Sequence, residues 1–596
     1  MDIMKPIASI ELPKGFDWLY EVKYDGFRCQ LHWKENGEIT LVSKRKKNMT
    51  ELFPEIATAC RELTAKAKHL LPLQFDGELV ILNNDVQANF SALQQRGRMQ
   101  NKEKINHFAN TRPASFMAFD VLLINKEEQI HKSLEMRKKE LKRIFESIEH
   151  DRIRFVPAYE NANQLKQHIF EYLGEGIIAK RKQSTYKSGK SHRDWFKVKN
   201  WRTIQAFLTA YDPENGYFTA EVYDGKETKP IGKCKHGFQA EEEQTVKQLF
   251  ISNGEKSGNM YHLPPAICVR IHTLGVSEGE MREPEFAGIM PQLKPADCTL
   301  EKLQLDLAML PTDIDISNTE KSYFPKAGIT KGDFLIYMRK AAPYMLPFLK
   351  DRAVTLIRCP DGVEGERFFQ KHLPDYAPAL FPERSDQVIV CESVQALIWL
   401  ANHGSLEYHV PFQLLDSDLP LEIVFDLDPP DRDHFHLAVQ AAQLIKIMLD
   451  RLELISFIKT SGNKGLQIHI PIPPGSLTYE DTAVFTEAIA MALVNTQPDL
   501  FTTERMKHKR GSRLYIDYVQ HGKNKTIIAP YSPRQTDEAT VAMPLFWEEV
   551  NEDLHPTQFT IQNAIERMQT KGCPFQDYLQ QAASQNLNLM QELIQR

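Results

Sequence analysis

The sequence is short of every feature that would tie it to a membrane or to a disulfide scaffold. No run approaches the roughly 20 apolar residues of a membrane span. The start, Met1-Asp2-Ile3-Met4-Lys5-Pro6, lacks the charged-then-apolar pattern of a signal peptide. The eight cysteines are scattered and no two form a CxxC pair, which indicates neither a zinc site nor a disulfide framework. No segment repeats, none is of low complexity, and no Walker A loop occurs. An excess of positive charge is missing too, the formal net charge being −6. That argues against a bulk polycation and leaves local basic patches open. The expected compartment is a reducing cytoplasm, with no membrane partner.

What is present is length and uneven charge. At 596 residues the chain is too long for one core, and three or four domains are expected. The 42% hydrophobic and 26% charged residues are ordinary for a globular protein. Lys44-Arg45-Lys46-Lys47 is one basic run. Lys180 to Arg202 holds nine Lys/Arg against one acid, Asp194. Arg505, Lys507, Lys509, Arg510 and Arg513 form a third cluster. Each lies beside a motif that carries chemistry, which favours phosphate-binding faces over merely solvated ones.

The periodicities predict an α+β multidomain chain. Leu73–Leu82 and Ser115–Ile124 read as buried strands and Leu134–Ile148 as a charged helix. From Ile204 to about Pro295 short strands alternate with glycine turns, which points to a small OB-fold β-barrel. A polar stretch follows as a linker over 297–322. Helix and strand signals resume at Tyr323, and the Gln-rich end reads as a helical tail.

Two motifs stand out. The first is Glu21-Val22-Lys23-Tyr24-Asp25-Gly26-Phe27-Arg28. A lysine with a reference pKa of about 10.4 attacks only when desolvated or flanked by cations. Lys23 ends an apolar strand before an Asp-Gly turn, which places its amine at the mouth of a pocket. Downstream follow Asp76-Gly77-Glu78, Phe119-Asp120, Glu175-Gly176-Ile177-Ile178-Ala179-Lys180 and Trp195-Phe196-Lys197-Val198-Lys199. Lys197 and Lys199 alternate on a strand and share a face. Attack on a triphosphate needs such cations, with Mg²⁺, to neutralise charge.

This ordered series resembles the covalent nucleotidyltransferases, specifically ATP-dependent DNA ligases, over roughly residues 8 to 296. The resemblance implies an ATP-grasp-like adenylation domain over 1–203 and an OB-fold over 204–296. It implies that Lys23 attacks ATP and carries AMP covalently. Arg28 and Glu78 would contact ribose, Glu21 adenine, and Phe119 would stack on the base. Glu175 would hold the metal, and Lys180, Lys197 and Lys199 the phosphates. Two departures are visible. Ser43-Lys44-Arg45-Lys46 replaces the usual Ser-Arg-Asn-Gly, leaving Lys44 or Arg45 for the nick phosphate. At the barrel's end Met290 and Gln292 replace a basic residue and an aspartate, and Arg282 or Lys294 is left to take over.

The second motif is Phe425-Asp426-Leu427-Asp428-Pro429. Its carboxylates share one face of a strand, and their repulsion calls for a divalent cation. Asp517, in Leu514-Tyr515-Ile516-Asp517-Tyr518, sits among apolar and aromatic residues, where a bare carboxylate is costly. Three such acids can hold two metals for nucleotidyl transfer. The loop Thr460-Ser461-Gly462-Asn463-Lys464-Gly465 can cradle phosphates, and Arg534 offers another cation.

With Gly328–Gly332, Arg358–Gly365 and Phe368–Lys371, these residues resemble the archaeo-eukaryotic primase-like polymerase domain. They are most similar to that of bacterial DNA ligase D, which sets a third domain over 323–596. The resemblance assigns Asp426, Asp428 and Asp517 to Mg²⁺ or Mn²⁺. It assigns Ser461, Lys464, Gly465 and Arg534 to the incoming NTP or dNTP. Gln467 stands where many relatives carry histidine, with its amide expected to bond a phosphate. The whole chain therefore resembles the ligase D family in a ligase-first, polymerase-last arrangement without a phosphoesterase. Its implied work is end joining at double-strand breaks on nicked and broken DNA, with Ku as partner, in the bacterial cytoplasm at the nucleoid. The competing readings are an RNA ligase or capping-type enzyme, and a ligase with a non-catalytic polymerase-like domain.

Overall fold

The structure, a computed structural model, describes residues 2–595. It divides into two compact units, Met1–Met309 with Gln569–Lys571, and Leu310–Met568 with Gly572–Arg596.

In the first unit two sheets share a core. One has the strand order Lys5–Ala8, Ser191–Lys199, Gly176–Arg181, Trp18–Val22. The other runs Ile39–Ser43, Phe27–Trp33, Leu73–Val80, Ser115–Ile124, Glu127–Glu128, and Ile153–Phe155 pairs with Ser115–Ile124. Tyr20, Val22, Ile177, Ala179 and Trp195 of the first sheet pack with Val80, Met117 and Phe119 of the second. The outer face of the second sheet is covered by the helices Pro54–Ala67 and Leu134–Ser147, through Ile56, Leu63, Leu141 and Ile144. Burial on both faces accounts for the apolar character of Ser115–Ile124, while Leu73–Val80 buries its apolar residues and carries Asp76 and Glu78 among them.

A further six-stranded sheet spans 202–289. Its order is Glu227–Cys234, Tyr217–Asp224, Arg202–Asp212, Met260–Thr273, Glu255–Ser257, with Glu285–Ile289 paired to Met260–Thr273. The helix Ala240–Asn253 fills this sheet with Val246 and Phe250. The stretch expected to be a linker, 297–322, begins as structure: Leu300–Ala308 is a helix capped by the Thr299 side chain. Leu300, Leu303 and Leu307 form its apolar stripe and join the core of this sheet. Intervening charged residues hid the stripe in a mainly polar sequence.

The second unit is built on a six-stranded sheet of order Phe501–Thr502, Leu514–Asp517, Glu422–Asp428, Leu466–Pro471, Phe457–Thr460, Pro544–Leu545. A four-stranded sheet, Phe368–Gln370, Thr355–Arg358, Ser405–Pro411, Thr526–Ile528, accompanies it. The helices Phe435–Arg451 and Tyr479–Thr496 pack on the Glu422–Asp428 strand. Thr478 and Asp481 form a capping box at the start of the second of these helices. The tail is helical over Ala564–Lys571, Tyr578–Gln581 and Asn588–Gln595. It also buries Phe575 and Tyr578 against Phe348 and Phe457.

Candidate active sites

Lys23 follows the fully buried strand Trp18–Val22, and its backbone N–H donates to Gly176 O at 2.9 Å. Gly26 lets the turn close, because a Cβ there would lie 2.3 Å from Leu79 O and 2.7 Å from Glu78 Cγ. The side chain enters a cleft of about 1220 Å³ lined by both sheets and by Arg282 and Glu283. There Lys23 Nζ meets Glu175 Oε1 at 2.5 Å, although 152 residues separate the two. Burial raises the Glu175 carboxyl above its ordinary range, with Lys23 opposing. Its Oε2 is buried and has no hydrogen-bond partner among the described residues. Arg282 Nη2 donates to Asp25 Oδ1 at 2.7 Å beside this pair.

The other expected nucleotide contacts gather in the same place, engaged with one another. Arg28 donates through Nε and Nη2 to Asp76, at 2.7 and 2.6 Å, and lies 4.2 Å over the Phe119 ring. Glu78, on the same strand as Asp76, is pushed up to about 8 by burial, with Arg28 and Lys23 opposing. Glu21 Oε2 accepts from Lys180 Nζ at 2.6 Å, and its Oε1 pairs with Lys138 at 2.9 Å. Lys180 lies 4.3 Å from the Phe119 centroid and 4.4 Å from that of Trp195. Burial lowers it to about 8, against the pull of Glu21.

Three expectations need correction. Lys180 lines the cleft but is buried against Glu21 and the Phe119 and Trp195 rings, so in this conformation its ammonium is engaged by Glu21. Lys199 lies at the edge of the cleft that Lys197 lines: it pairs at 2.6 Å with Glu283, itself a lining residue, and covers Trp201 at 4.1 Å. Strand alternation set both on one face, but the strand runs past the cleft's edge. Met290 packs with Phe207, Cys268 and Cys298, while Gln292 and Lys294 are exposed outside the cleft. Of the substitutes considered, Arg282 is the cation inside it. Lys44 and Arg45 both line the cleft.

In the second unit the antiparallel register sets Asp426 opposite Asp517, and Asp428 opposite Tyr515. Asp426 is pushed up to about 6 by burial, with Asp428 and Asp517 adding and the Gln467 bond opposing. Asp517 is raised as well, chiefly by burial. Asp428 is held by Lys464 at 3.0 Å and Arg510 at 3.5 Å. Among the described residues no three His, Cys, Asp or Glu side chains converge closely enough to hold a metal in this conformation.

The loop beside them is tightly made. Ser461 Oγ accepts from Gly465 N at 3.0 Å, and a Cβ on Gly465 would lie 2.2 Å from Leu427 O. Lys464 Nζ also donates to Pro429 O at 2.6 Å. Arg534 donates to Ser461 O at 3.0 Å and is flanked by Glu407 at 3.2 Å. Gln467 departs from expectation. It is buried, its Nε2 donates to Asp426 Oδ1 at 3.1 Å and its Oε1 accepts from Lys459. Its amide is spent inside the sheet rather than offered to a phosphate.

Comparison with known proteins finds two family models on this chain. The family model for the ATP dependent DNA ligase domain matches residues 3–199. That for the LigD primase-polymerase domain matches residues 330–575. The bifunctional non-homologous end joining protein LigD of Bacillus subtilis (strain 168) is 40% identical over 588 residues, covering 96% of both chains. The chain belongs to the LigD family. The multifunctional LigD of Pseudomonas aeruginosa is 26% identical over 615 residues, covering 95% of this chain and 71% of that one. A solved polymerase domain of Mycobacterium tuberculosis ligase D in complex with DNA is 28% identical, with a TM-score of 0.42. It covers 46% of this chain and 100% of that one. This LigD chain is thus a bifunctional enzyme, an ATP-dependent DNA ligase followed by a primase-polymerase nucleotidyltransferase. Among the described residues no helix is long and apolar enough to cross a membrane.

Several LigD site neighbours escape a reading of local motifs. Asp76 and Trp195 stand inside the motifs Asp76-Gly77-Glu78 and Trp195–Lys199, yet nothing local marks the Asp76 hold on Arg28 or the Trp195 contact with Lys180. Lys138 lies on a helix whose charges look solvated, yet it is tied to Glu21 and to Val156 O. Lys459 is the one polar residue in Phe457-Ile458-Lys459, and that isolation was its only signal.

Proposed function

We propose that this chain joins broken DNA ends, filling or extending them in its second unit and sealing nicks in its first. The relatives' names, which specify non-homologous end joining, support the reading. The observation that carries it is the Lys23–Glu175 contact inside the cleft, on a chain that also sets Asp426 against Asp517.

Lys23 gives up a proton to attack, and the Glu175 carboxylate, 2.5 Å from its Nζ, accepts it. The amine forms an N–P bond to the α-phosphate of ATP and pyrophosphate leaves. Arg28 and Glu78 hold the ribose side, and Phe119 stacks on adenine above Glu21 and Lys180. Lys197 and Arg282 meet the phosphates. AMP then passes to the 5′-phosphate of a nick, which Lys44 or Arg45 binds. Attack by the 3′-hydroxyl forms the phosphodiester and releases AMP.

In the second unit Ser461, Lys464, Gly465 and Arg534 receive the incoming NTP or dNTP. Asp426, Asp428 and Asp517 face the primer's end. Hard carboxylate oxygens suit Mg²⁺ or Mn²⁺, and the mutual repulsion of these acids suits a cation held between them, as the unpartnered Glu175 Oε2 does in the first unit. Such a cation, when bound, neutralises phosphate charge. Double-stranded ends, nicked DNA and Ku are the partners on this reading, and the bacterial cytoplasm at the nucleoid is the place.

Incubation with α-labelled ATP or GTP tests it. Wild type is expected to take a covalent label from ATP and not from GTP, and Lys23→Ala to take none. A Lys23→Ala chain that still labels overturns the assignment.

A further inference from the structure

Four strands of the second unit bring four polar side chains into one row. Asp517 stands opposite Asp426, Asp426 opposite Gln467, and Gln467 opposite Lys459. Lys459 Nζ donates to Gln467 Oε1, and Gln467 Nε2 donates to Asp426 Oδ1 at 3.1 Å. Lys459 is fully buried, and among the described residues no carboxylate forms an ion pair with it. Burial lowers Lys459 to about 7, although Asp426 and Glu422 favour its charge from beyond ion-pair distance, so an apolar side chain would serve the core better.

The chemistry of the row explains its order. An ammonium only donates, an ionised carboxylate only accepts, and an amide does each at one end. Between Lys459 and Asp426 the Gln467 amide therefore has one orientation that satisfies both neighbours, oxygen to the lysine and NH₂ to the aspartate. Without the ammonium the amide could turn, and its oxygen would then face the Asp426 carboxylate.

We propose that Lys459 is a positioning residue of the aspartate site, orienting Gln467 so that Gln467 fixes Asp426. It touches neither substrate nor reacting atoms. The inference rests on the reading of Asp426 as a carboxylate of the polymerase site. It goes beyond that reading by naming what aligns the carboxylate. Lys459 also sets positive charge behind crowded acids, in keeping with its opposing the upward push on Asp426. Partners behind a metal-binding carboxylate generally matter 10- to 100-fold for affinity or activity, by orders of magnitude estimated from roughly comparable sites.

The test uses the full chain with Mn²⁺ as probe. Free Mn²⁺ is followed by electron paramagnetic resonance, and the binding that Asp426→Ala removes defines the site. Lys459→Met is expected to weaken that binding and slow primer extension, each by about tenfold. Gln467→Leu is expected to do the same. The double variant is expected to be no worse than either single, because the two act as one link. Wild-type Mn²⁺ binding in Lys459→Met, or losses that multiply in the double variant, overturns the proposal. If Lys459→Met does not fold, Gln467→Leu decides: unchanged Mn²⁺ binding there overturns it, and a tenfold loss supports it. Unchanged primer extension by Asp426→Ala would instead sink the reading of the site itself.

Discussion

Arg282 grips Asp25 through both guanidinium nitrogens, at 2.7 Å from Nη2 to Oδ1 and 2.5 Å from Nη1 to Oδ2. Asp25 is two residues past Lys23, so this places beside Lys23 a cation that Met290, packed in apolar surroundings, does not supply. Arg282→Ala is expected to slow adenylation of Lys23 by roughly 10²-fold, the scale of losing one donor aimed at developing charge. Stability should change by under about 1 kcal/mol, since the arginine is partly exposed. A rapid-quench time course of label incorporation, beside a thermal melt, checks both.

Glu21 is the sole carboxylate paired with both Lys180 and Lys138 among the described ion pairs. Glu21→Ala leaves two buried cations facing each other, at a cost of about 3–5 kcal/mol. Urea unfolding should show that loss in the first unit's transition and leave the second unit's midpoint in place.

Glu422 binds the tail to the back of the polymerase sheet. It accepts from Tyr578 Oη at 2.6 Å and from Arg352 at 2.9 Å, and it pairs with His469 at 2.8 Å. Burial works against its charge, but Arg352 and His469 outweigh it and hold the carboxyl well below the usual range. A depressed carboxylate contributes stability that is complete above its unfolded pKa of about 4.3 and is lost as pH falls through the folded value. Melting of wild type should therefore fall below about pH 4 more steeply than melting of Glu422→Gln. That variant should be weaker than wild type by about 3–5 kcal/mol at neutral pH, with Arg352 left buried and unpaired.

Lys507 and Lys509 are exposed beside Arg510, which reaches Asp428. If this face binds DNA phosphates, affinity falls steeply with salt. Replacing both lysines by alanine should reduce the slope of log K against log salt by about 2, roughly one per contact. Fluorescence anisotropy between low and moderate salt reads it, and an unchanged slope removes these residues from the interface.

Much of the fold was legible because burial leaves a mark in sequence: Ser115–Ile124 is a near-continuous apolar run, and Leu73–Val80 alternates apolar residues with Gln74, Asp76 and Glu78. The helix Leu300–Ala308 was not, because its four leucines are interspersed with Glu301, Lys302, Gln304 and Asp306 in a stretch flanked by polar sequence. The chemistry-bearing residues were legible one at a time, and their pairings were not. Nothing local says that Lys23 meets Glu175, that Glu21 satisfies Lys180, or that Gln467 is spent on Lys459. Those contacts are set by strand register across long stretches of chain, which also set Lys199 against Glu283 at the edge of the cleft that Lys197 lines.

The central claim is that one chain fills and seals the same DNA end with two separate sites. Joining of a broken duplex with a short gap, compared among wild type, Lys23→Ala and Asp426→Ala, tests it most directly. Wild type should yield filled, sealed product. Lys23→Ala should extend the primer and leave the nick open, and Asp426→Ala should seal a ready nick and leave the gap unfilled. Sealed product from Lys23→Ala, or gap filling by Asp426→Ala, would contradict the account.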